Sequence, residues 1–305
     1  MKKLRSSIYI ILFMGLLFSC GQRSKLDHIT TQTVDNDNNY LYSFFVAGHT
    51  YGKPNVDNKG LHPPFKKKFE YLQSRLEIEF GVLTGDIVVE SSIQDWDDVD
   101  KDIDTLGLPV YFAPGNHDLK DRALYSSRYG SPYYSFIKHK DLFIFLDPTK
   151  KRWNIKGAQW EFLRNVVDTS YKRVNNIFVF VHQVLWWEED NIYANVRPNY
   201  TKWKAKKTNF WTEVEPLFHQ LPNKVIFFAG DMGANRKCDD FMYDSYDNIE
   251  FVGSGMGEGK GDNFVIVNVL KNKSVKLELI CLQDSNLHCF GDIYKYRVRN
   301  KQVDK

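Results

Sequence analysis

Several short apolar runs punctuate this sequence, and each is followed by a polar residue able to bind a metal ion or to transfer a proton. The runs cover residues 42–46, 80–84, 110–114, 177–181 and 225–229. Runs this short and this apolar are typical of strands buried inside a sheet. Because open α/β sheets place their sites at the carboxyl ends of their strands, the polar residues are expected to meet there. They are His49, Asp86, the segment Gly115-Asn116-His117-Asp118, His182 and Asp231.

Helical periodicity alternates with these runs, and a period of two dominates the C-terminal part. The pattern predicts a hairpin over residues 132–146 and further strands after residue 249, the last over residues 293–298. This order predicts an α/β fold, a four-layer αββα sandwich of two mixed β-sheets flanked by helices. No repeat or low-complexity linker divides residues 40–300, which are expected to form one domain. The predicted helices cover residues 65–76 (with Phe65, Phe69, Leu72 and Leu76 on one face), 92–106, 157–167 and 210–221.

The N-terminal residues 1–20 have the pattern of an export signal rather than of a domain. Lys2, Lys3 and Arg5 precede an apolar segment, and Cys20 follows where a cleavage site is expected. This pattern resembles a bacterial lipoprotein signal peptide, in which Cys20 carries the lipid; an ordinary signal peptide or an anchor helix is the alternative. Residues 21–39 are polar and predict a flexible tether. The protein is therefore expected in the bacterial cell envelope, lipid-anchored and extracytoplasmic, on the outer membrane if the cell is Gram-negative.

Charge and cysteine content limit the classes of partner. A formal net charge of +3 with no clustered basic face gives no indication of a nucleic-acid partner. The remaining cysteines are odd in number once Cys20 is lipidated. Cys281 and Cys289 flank a plausible turn and could pair, which would leave Cys238 free.

The polar segments occur in the order typical of a known enzyme family. Gly85-Asp86, Gly115-Asn116-His117-Asp118, His182 and Gly230-Asp231 resemble the motifs of the calcineurin-like metallophosphoesterases, and residues 128–136, 157–160 and 253–255 fit as well. The resemblance covers about residues 40–282, and the Gly-Asn-His-Asp segment is its most specific part. It implies the fold of that family and metal-dependent hydrolysis of phosphate esters.

The resemblance also implies roles for individual residues. In this family two metal ions lie side by side and activate the water that attacks phosphorus. Asp86 matches the carboxylate that bridges the ions, and Asn116 and His182 match ligands of the second ion. His117 matches the residue that protonates the leaving oxygen or stabilises the transferring phosphoryl group. Asp118 is expected to orient His117 and raise its basicity.

Two motifs of the family are altered in this chain. The first motif, Asp-x-His, supplies two ligands of the first ion, but residues 47–51 read Ala-Gly-His-Thr-Tyr. His49 replaces the Asp and Tyr51 the His, or else His49 remains the His and Ala47 takes the place of the Asp. The last motif, Gly-His-x-His, reads Gly-Asp-Met-Gly, so Asp231 still offers an oxygen ligand whereas Gly233 offers no side chain.

These alterations leave three interpretations open. In the first, the protein is a hydrolase with one strongly held metal ion. In the second, His49 and Tyr51 complete a non-standard two-metal site for manganese, iron or zinc, since imidazole and phenolate suit such ions. In the third, the site has decayed. We expect a divalent metal cofactor, one or two ions per chain, and hydrolysis of a phosphate mono- or diester. The expected substrate is a phosphorylated small molecule or an envelope glycan or lipid. A catalytically inactive binding protein for envelope glycans or phosphorylated ligands is the alternative.

Two further segments have two explanations each. A group of aromatic residues forms either a sugar- or nucleoside-stacking wall or the anchors of a long loop. Residues 253–261 resemble a phosphate-binding loop, but they lack the Lys-Ser or Lys-Thr and the following helix of a P-loop. They are expected to form a turn near the rim of the site. The aromatic group is Trp186, Trp187, Tyr193, Tyr200 and Trp203.

Overall fold

Two mixed β-sheets stack face to face at the centre of the molecule. The computed structural model describes residues 39–56, 58–202, 204–283 and 285–299. The strands in these ranges are β1 (Tyr40–Ala47), β2 (Ile78–Leu83), β3 (Val110–Phe112), β4 (Tyr134–Lys138), β5 (Asp141–Phe145), β6 (Asn176–Val181), β7 (Lys224–Ala229), β8 (Phe241–Tyr246), β9 (Ile249–Ser254), β10 (Asn263–Leu270) and β11 (Val275–Cys281).

The two sheets have different sizes but share a parallel centre. The five-stranded sheet has the order β11-β10-β1-β2-β3, and β1, β2 and β3 are parallel. The six-stranded sheet has the order β4-β5-β6-β7-β9-β8, with β5, β6, β7 and β9 parallel. The antiparallel strands β4 and β8 form both edges of the six-stranded sheet, whereas the five-stranded sheet has the antiparallel strands β10 and β11 on one side and the parallel strand β3 at its other edge. The parallel strands therefore end together, which brings the loops that follow them to one end of the sandwich.

Helices cover the outer face of each sheet. The α-helices are α1 (Pro63–Lys66), α2 (Phe69–Ser74), α3 (Ile93–Leu106), α4 (Arg122–Tyr129), α5 (Ala158–Ser170) and α6 (Glu215–His219). A π-helical turn, Phe210–Val214, leads into α6, and short 3₁₀ turns cover Thr149–Lys151, Tyr171–Arg173, Ile192–Asn195 and Ile293–Tyr296.

Alternating side chains divide the core into three parts. Phe44 of β1 points between the sheets and contacts Phe178 of β6, whereas its neighbour Phe45 packs on Phe65 beneath the helices. All six residues of β6 are buried, because both faces of the strand are covered. Each fully buried phenylalanine stabilises the fold by roughly 2–3 kcal/mol. The layer order is helix, sheet, sheet, helix, which confirms the predicted fold class.

The acidic segment before β3 forms a well-capped helix. Ser92 caps α3 by accepting a hydrogen bond from the Asp95 amide, and the Asp95 carboxylate accepts one from the Ser92 amide. Gly107 ends the helix in the left-handed conformation, at φ 68°. Asp97 and Asp100 accept from Arg128. These two carboxylates thus lie on a solvated helix face.

Some predicted elements were wrong. The helix expected over residues 65–76 is broken into α1 and α2, and Leu76, expected on its buried face, is 92% exposed. The strand expected over residues 293–298 is instead a 3₁₀ turn at Ile293–Tyr296, followed by a single parallel bridge between Arg297 and Tyr243 of β8. The sequence reading also missed β8, which borders the six-stranded sheet.

The predicted signal peptide and, apart from Asn39, the tether lie outside the described residues, as does Cys20. Within the described ranges no helix has the length and apolar character needed to cross a bilayer. Cys281 and Cys289 form a disulfide with their Cα atoms 6.1 Å apart. Cys238 is unpaired among the described cysteines.

Candidate active site

A cluster of three buried side chains lies at the carboxyl ends of the parallel strands. Asp86 follows β2 of the five-stranded sheet, whereas His182 and Asp231 follow β6 and β7 of the six-stranded sheet. Their ligand atoms lie within 4.8 Å of one another. His182 Nε2 is 3.3 Å from Asp86 Oδ1 and 3.7 Å from Asp231 Oδ1. We call these three residues the ligand cluster; both sheets contribute to it.

The donor set of the ligand cluster fits a divalent cation. His182 Nδ1 lies 2.9 Å from the carbonyl oxygen of Thr84, which fixes the ring so that Nε2 faces the two carboxylates. His182 Nε2 is buried and has no hydrogen-bond partner among the described residues. One imidazole nitrogen and two carboxylate oxygens around one point are ligands that zinc, manganese and iron accept.

Charge coupling inside the ligand cluster places a proton where a cation would bind. Burial lowers the pKa of His182, but the charges of Asp86 and Asp231 outweigh burial and raise the pKa to about 10. Burial raises the pKa of Asp231 to about 7, against the opposing effect of His182. Although burial disfavours its charge, the nearby histidines hold the pKa of Asp86 well below its usual range. Metal binding must therefore release a proton from the cluster.

The other side of Asp86 holds an aromatic pair instead of a carboxylate. His49 is buried, with Nδ1 2.9 Å from the Met256 carbonyl oxygen and Nε2 3.9 Å from Asp86 Oδ2. The Tyr51 ring lies between the His49 ring, at 4.3 Å, and the His117 ring, at 5.2 Å. Burial lowers the pKa of His49 to about 4, and burial and Asp86 raise the pKa of Tyr51 above its usual range. In the absence of a cation, burial therefore favours the neutral imidazole and the neutral phenol.

Asp118 does not orient His117, which corrects the expected role. Asp118 is fully buried, and its carboxylate accepts hydrogen bonds from the amides of Ile87 at 2.7 Å, Val88 at 3.0 Å and Gly115 at 2.7 Å. Both oxygen atoms of the carboxylate accept these bonds, which connect the loop after β2 to the loop after β3. The role of Asp118 is to hold two loops together.

A backbone carbonyl orients His117 in its place. His117 Nδ1 lies 2.7 Å from the carbonyl oxygen of Val89, and the His117 amide donates to Asp86 Oδ1 at 3.2 Å. When Nδ1 donates to Val89, the Nε2 atom remains available to exchange a proton with a substrate. The ring is half-buried and borders the ligand cluster through Asp86.

Asn116 opens onto a cavity of about 360 Å³ beside the ligand cluster. Gln183, which follows His182 directly, donates from Nε2 to Asn116 Oδ1 at 3.3 Å. Gln183 is 3% exposed, and its Oε1 has no hydrogen-bond partner within the described part of the chain. The cavity is lined by Asn116, Thr149, Arg152, Trp153, Gln183 and Tyr200.

The structure divides the aromatic group of the long loop. Trp186 and Tyr193 are core residues with no exposed surface, and Trp187 is partly buried against the same core. Tyr200 is 44% exposed and lines the cavity. Trp203 lies outside the described residues. Trp153, a residue that the sequence reading did not single out, lines the same cavity as Tyr200.

Left-handed backbone conformations are frequent around the site. His49 and Asp86 have φ values of 53° and 51°, and the consecutive residues Arg152 and Trp153 have 53° and 71°. A non-glycine residue in this region costs about 1–2 kcal/mol, and such residues tend to cluster at functional sites. The chain adopts this conformation where strands end in the ligand cluster and where Trp153 enters the cavity wall.

Atoms around the ligand cluster are packed so closely that position 115 has room only for a glycine. A Cβ atom on Gly115 would lie 2.4 Å from Asp86 Oδ1 and 2.9 Å from His182 Cδ2. Gly115 thus leaves the space that the ligands need. The loop expected at the rim does border the site, because Met256 supplies the carbonyl oxygen that contacts His49.

The structure brings most of the sequence-predicted residues together. Asp86, His182 and Asp231 form the ligand cluster, His49 and Tyr51 flank it, and Asn116 and His117 border it. Sequence reasoning missed Gln183, Arg152 and Trp153. The position of Gln183 next to His182 at a strand end was the one available signal.

Comparison with known proteins agrees with this geometry. The calcineurin-like phosphoesterase family model matches residues 28–230. A purple acid phosphatase from yellow lupin (Lupinus luteus) seeds has a similar structure, with a TM-score of 0.57, 14% identity and 81% of this chain covered. The present chain spans about half of that phosphatase, 52% of its length. A Staphylococcus aureus protein described as a 5′-nucleotidase gives a TM-score of 0.40 at 12% identity, covering 86% of this chain and 58% of the other.

No curated protein sequence matches the chain significantly. The structural likeness to the phosphatase shows a shared fold. The family model covers more than half of the chain, and this extent is decisive. The chain belongs to the calcineurin-like phosphoesterase family.

Proposed function

We propose that the protein hydrolyses a phosphate mono- or diester outside the cytoplasm, using one divalent cation held by the ligand cluster. The observation that carries this proposal is the Nε2 atom of buried His182, which faces the carboxylates of Asp86 and Asp231 but makes no well-aligned hydrogen bond with a described residue. Asn116 would add an amide oxygen to the same ion. A cation bound there would polarise a phosphoryl oxygen and lower the pKa of water.

His117 supplies the proton that the reaction needs. As the water oxygen bonds to phosphorus, the ester bond to the leaving oxygen breaks, and a proton passes from His117 Nε2 to that oxygen. One proton of the attacking water is released and restores the proton on His117. The products are an alcohol and phosphate, or an alcohol and a phosphomonoester when the substrate is a diester. The Val89 carbonyl keeps Nδ1 occupied, so Nε2 is the atom that carries the proton.

One metal ion is favoured over two because the two sides of Asp86 differ in charge. The side with His182 and Asp231 combines a carboxylate with an unpaired nitrogen. The side with His49 and Tyr51 offers a neutral imidazole and a phenol whose raised pKa disfavours the phenolate. Manganese, iron and zinc are the candidate ions, since each accepts mixed nitrogen and oxygen ligands.

The proposed location and substrate rest on the N-terminal sequence. A lipid on Cys20 would anchor the protein to the bacterial envelope, and residues 21–39 would hold the domain away from the membrane. Substrates within reach are phosphorylated small molecules and the phosphorylated glycans or lipid headgroups of the envelope. Nucleic acid is not proposed as a partner, since the net charge of +3 provides little attraction for it.

Metal content and turnover test the proposal together. Protein lacking residues 1–20, never exposed to a chelator, is assayed by elemental mass spectrometry beside an Asp86→Ala variant. We expect about one ion per chain, lost in the variant, together with metal-dependent hydrolysis of p-nitrophenyl phosphate or its bis ester. Two ions per chain would instead support the two-metal interpretation.

A catalytically inactive binding protein is the second candidate. The observation that favours it is the absence of a carboxylate at positions 47 and 49 and of a side chain at Gly233. Absence of metal after loading with manganese, iron and zinc would rule out the hydrolase and leave the binding protein.

A further inference from the structure

We propose that the cavity beside Asn116 binds the sugar ring of a phosphorylated sugar and that Gln183 selects it by accepting a hydrogen bond from a ring hydroxyl. This inference rests on the proposed function, since it assigns the substrate class to the same site. Here the cavity is called the sugar subsite.

The sugar subsite adjoins the residues that would handle the phosphate and the leaving group of a phosphate ester. Asn116, at its mouth, is adjacent in sequence to the proton donor His117, and Gln183, in its wall, is adjacent to the ligand His182. Gln183 and Asn116 are joined by the 3.3 Å hydrogen bond between their amides. A group attached to phosphorus through one oxygen would therefore extend from the ligand cluster into this cavity of about 360 Å³.

Gln183 supplies the polar recognition. It is 3% exposed, and its Oε1 atom lacks a hydrogen-bond partner among the described residues. Buried carbonyl oxygens are nearly always paired in folded proteins, so an unpaired one on a residue that lines a cavity is available to a ligand that donates. A sugar hydroxyl donates; an alkyl chain or a plain aromatic ring would leave the oxygen unpaired and bind less well.

Aromatic side chains supply the walls. Tyr200 is 44% exposed, and Trp153, from a different segment of the chain, also lines the cavity. The apolar faces of a sugar ring stack on such rings while its hydroxyls remain free to bond at the edge. Trp153 is held there by a left-handed backbone at residues 152 and 153 and by the bond from its amide to the Pro148 carbonyl at 3.1 Å. The left-handed conformation of residues 152 and 153 costs conformational energy, and it holds the Trp153 ring in the cavity wall.

Two sources offer the same chemistry. A hexose phosphate and the ribose phosphate of a nucleotide both place a hydroxylated ring next to the phosphate. The test therefore compares kcat/KM of the metal-loaded full chain in detergent for glucose 6-phosphate, adenosine 5′-monophosphate and phenyl phosphate, which has a ring but no hydroxyl. The variants are Gln183→Met, Tyr200→Ala and the conservative Tyr200→Phe.

We expect Gln183→Met to reduce the ratio of kcat/KM for the preferred sugar phosphate over phenyl phosphate about tenfold. A loss shared by all substrates reports the contact of Gln183 with Asn116, so only the ratio measures recognition. Tyr200→Ala should raise KM for the sugar phosphate about tenfold, and Tyr200→Phe should restore it. The preference between glucose 6-phosphate and adenosine 5′-monophosphate identifies the source of the ring.

Equilibrium binding separates this inference from the proposed function. Glucose 6-phosphate and adenosine 5′-monophosphate are titrated into the same proteins by calorimetry. Binding that weakens in Gln183→Met without any turnover would support the sugar subsite and overturn the hydrolase. Turnover of phenyl phosphate with an unchanged ratio in Gln183→Met and an unchanged KM in Tyr200→Ala would overturn the sugar subsite alone. Neither binding nor turnover would overturn both.

Discussion

The two sides of the Asp86 carboxylate differ in the charge of the groups that surround it. On one side His182 and Asp231 form a charged, buried cluster with an unpaired nitrogen. On the other side His49 and Tyr51 form a neutral aromatic stack. The two imidazoles approach the same carboxylate, at 3.3 Å and 3.9 Å, yet their pKa values move in opposite directions.

The second carboxylate causes this difference. Asp231 adds negative charge beside His182, and that charge outweighs the cost of burial; His49 lacks such a neighbour, so burial dominates its pKa. The two sides of Asp86 therefore share one carboxylate but differ in charge.

Removing the second carboxylate should have the largest effect. In Asp231→Asn the cluster loses one charged ligand, and we expect loss of bound metal and a fall in kcat/KM of about 10⁴-fold. Asp190→Asn, at an exposed carboxylate paired with Lys207, is the matched control and should retain both properties. Normal metal content in Asp231→Asn, measured by elemental mass spectrometry, would refute the assignment of the ligand cluster.

His117→Ala should lower kcat by about 10²–10⁴-fold while metal content stays unchanged. The reason is that its Nε2 atom donates the proton to the leaving oxygen. The loss should be smaller for p-nitrophenyl phosphate than for phenyl phosphate, because the nitrophenolate leaves without a proton. Equal losses on both substrates would contradict a role as general acid.

Gly115→Ala should weaken metal binding about tenfold. The added Cβ would lie 2.4 Å from Asp86 Oδ1, so the carboxylate must shift out of the ligand cluster. Isothermal titration with Mn²⁺ measures the affinity. Gly107→Ala is a control for adding a methyl group away from the site, since a Cβ there meets no atom within 4 Å; it should keep the wild-type affinity.

Tyr51→Phe should change kcat/KM by less than about threefold, because the pKa of its hydroxyl is raised and the phenolate does not form near neutral pH. Metal content should be unchanged. A large loss of activity together with one ion per chain would show that Tyr51 contributes to the chemistry. Loss of a second ion would restore the two-metal interpretation.

The smallest expected effect, and the most direct comparison of the two sides, is the difference between the pKa values of His182 and His49. In metal-free protein the pKa of His182 is raised to about 10 from its unfolded value near 6.5, so its contribution to stability is full below pH 6.5 and is lost as pH rises through 10. The pKa of His49 is lowered to about 4, so its contribution is present above pH 6.5 and is lost as pH falls through 4. Imidazole NMR should show His182 protonated and His49 neutral at pH 7. Similar titrations for the two rings would contradict the comparison.

Sequence reasoning identified the ligand cluster because it depends on strand ends, and apolar runs mark those ends plainly. Asp118 was misjudged because its partners, the amides of Ile87 and Val88, lie in a loop thirty residues away in sequence whose approach depends on the fold. Trp153 and Gln183 meet only where two loops converge, and no local pattern records that contact. Leu76 fits a helical stripe, but the chain leaves the helix at Ser74.

The contribution of ligands from two different sheets has a consequence for the stability of the protein. A cation at the ligand cluster would tie the loop after β2 to the loops after β6 and β7, and so would cross-link the halves of the sandwich at one end. At a free concentration a hundredfold above Kd, such binding adds about 2.7 kcal/mol to the free energy of unfolding. Metal supply in the surroundings of the protein would then influence how long the folded chain persists, independently of any turnover.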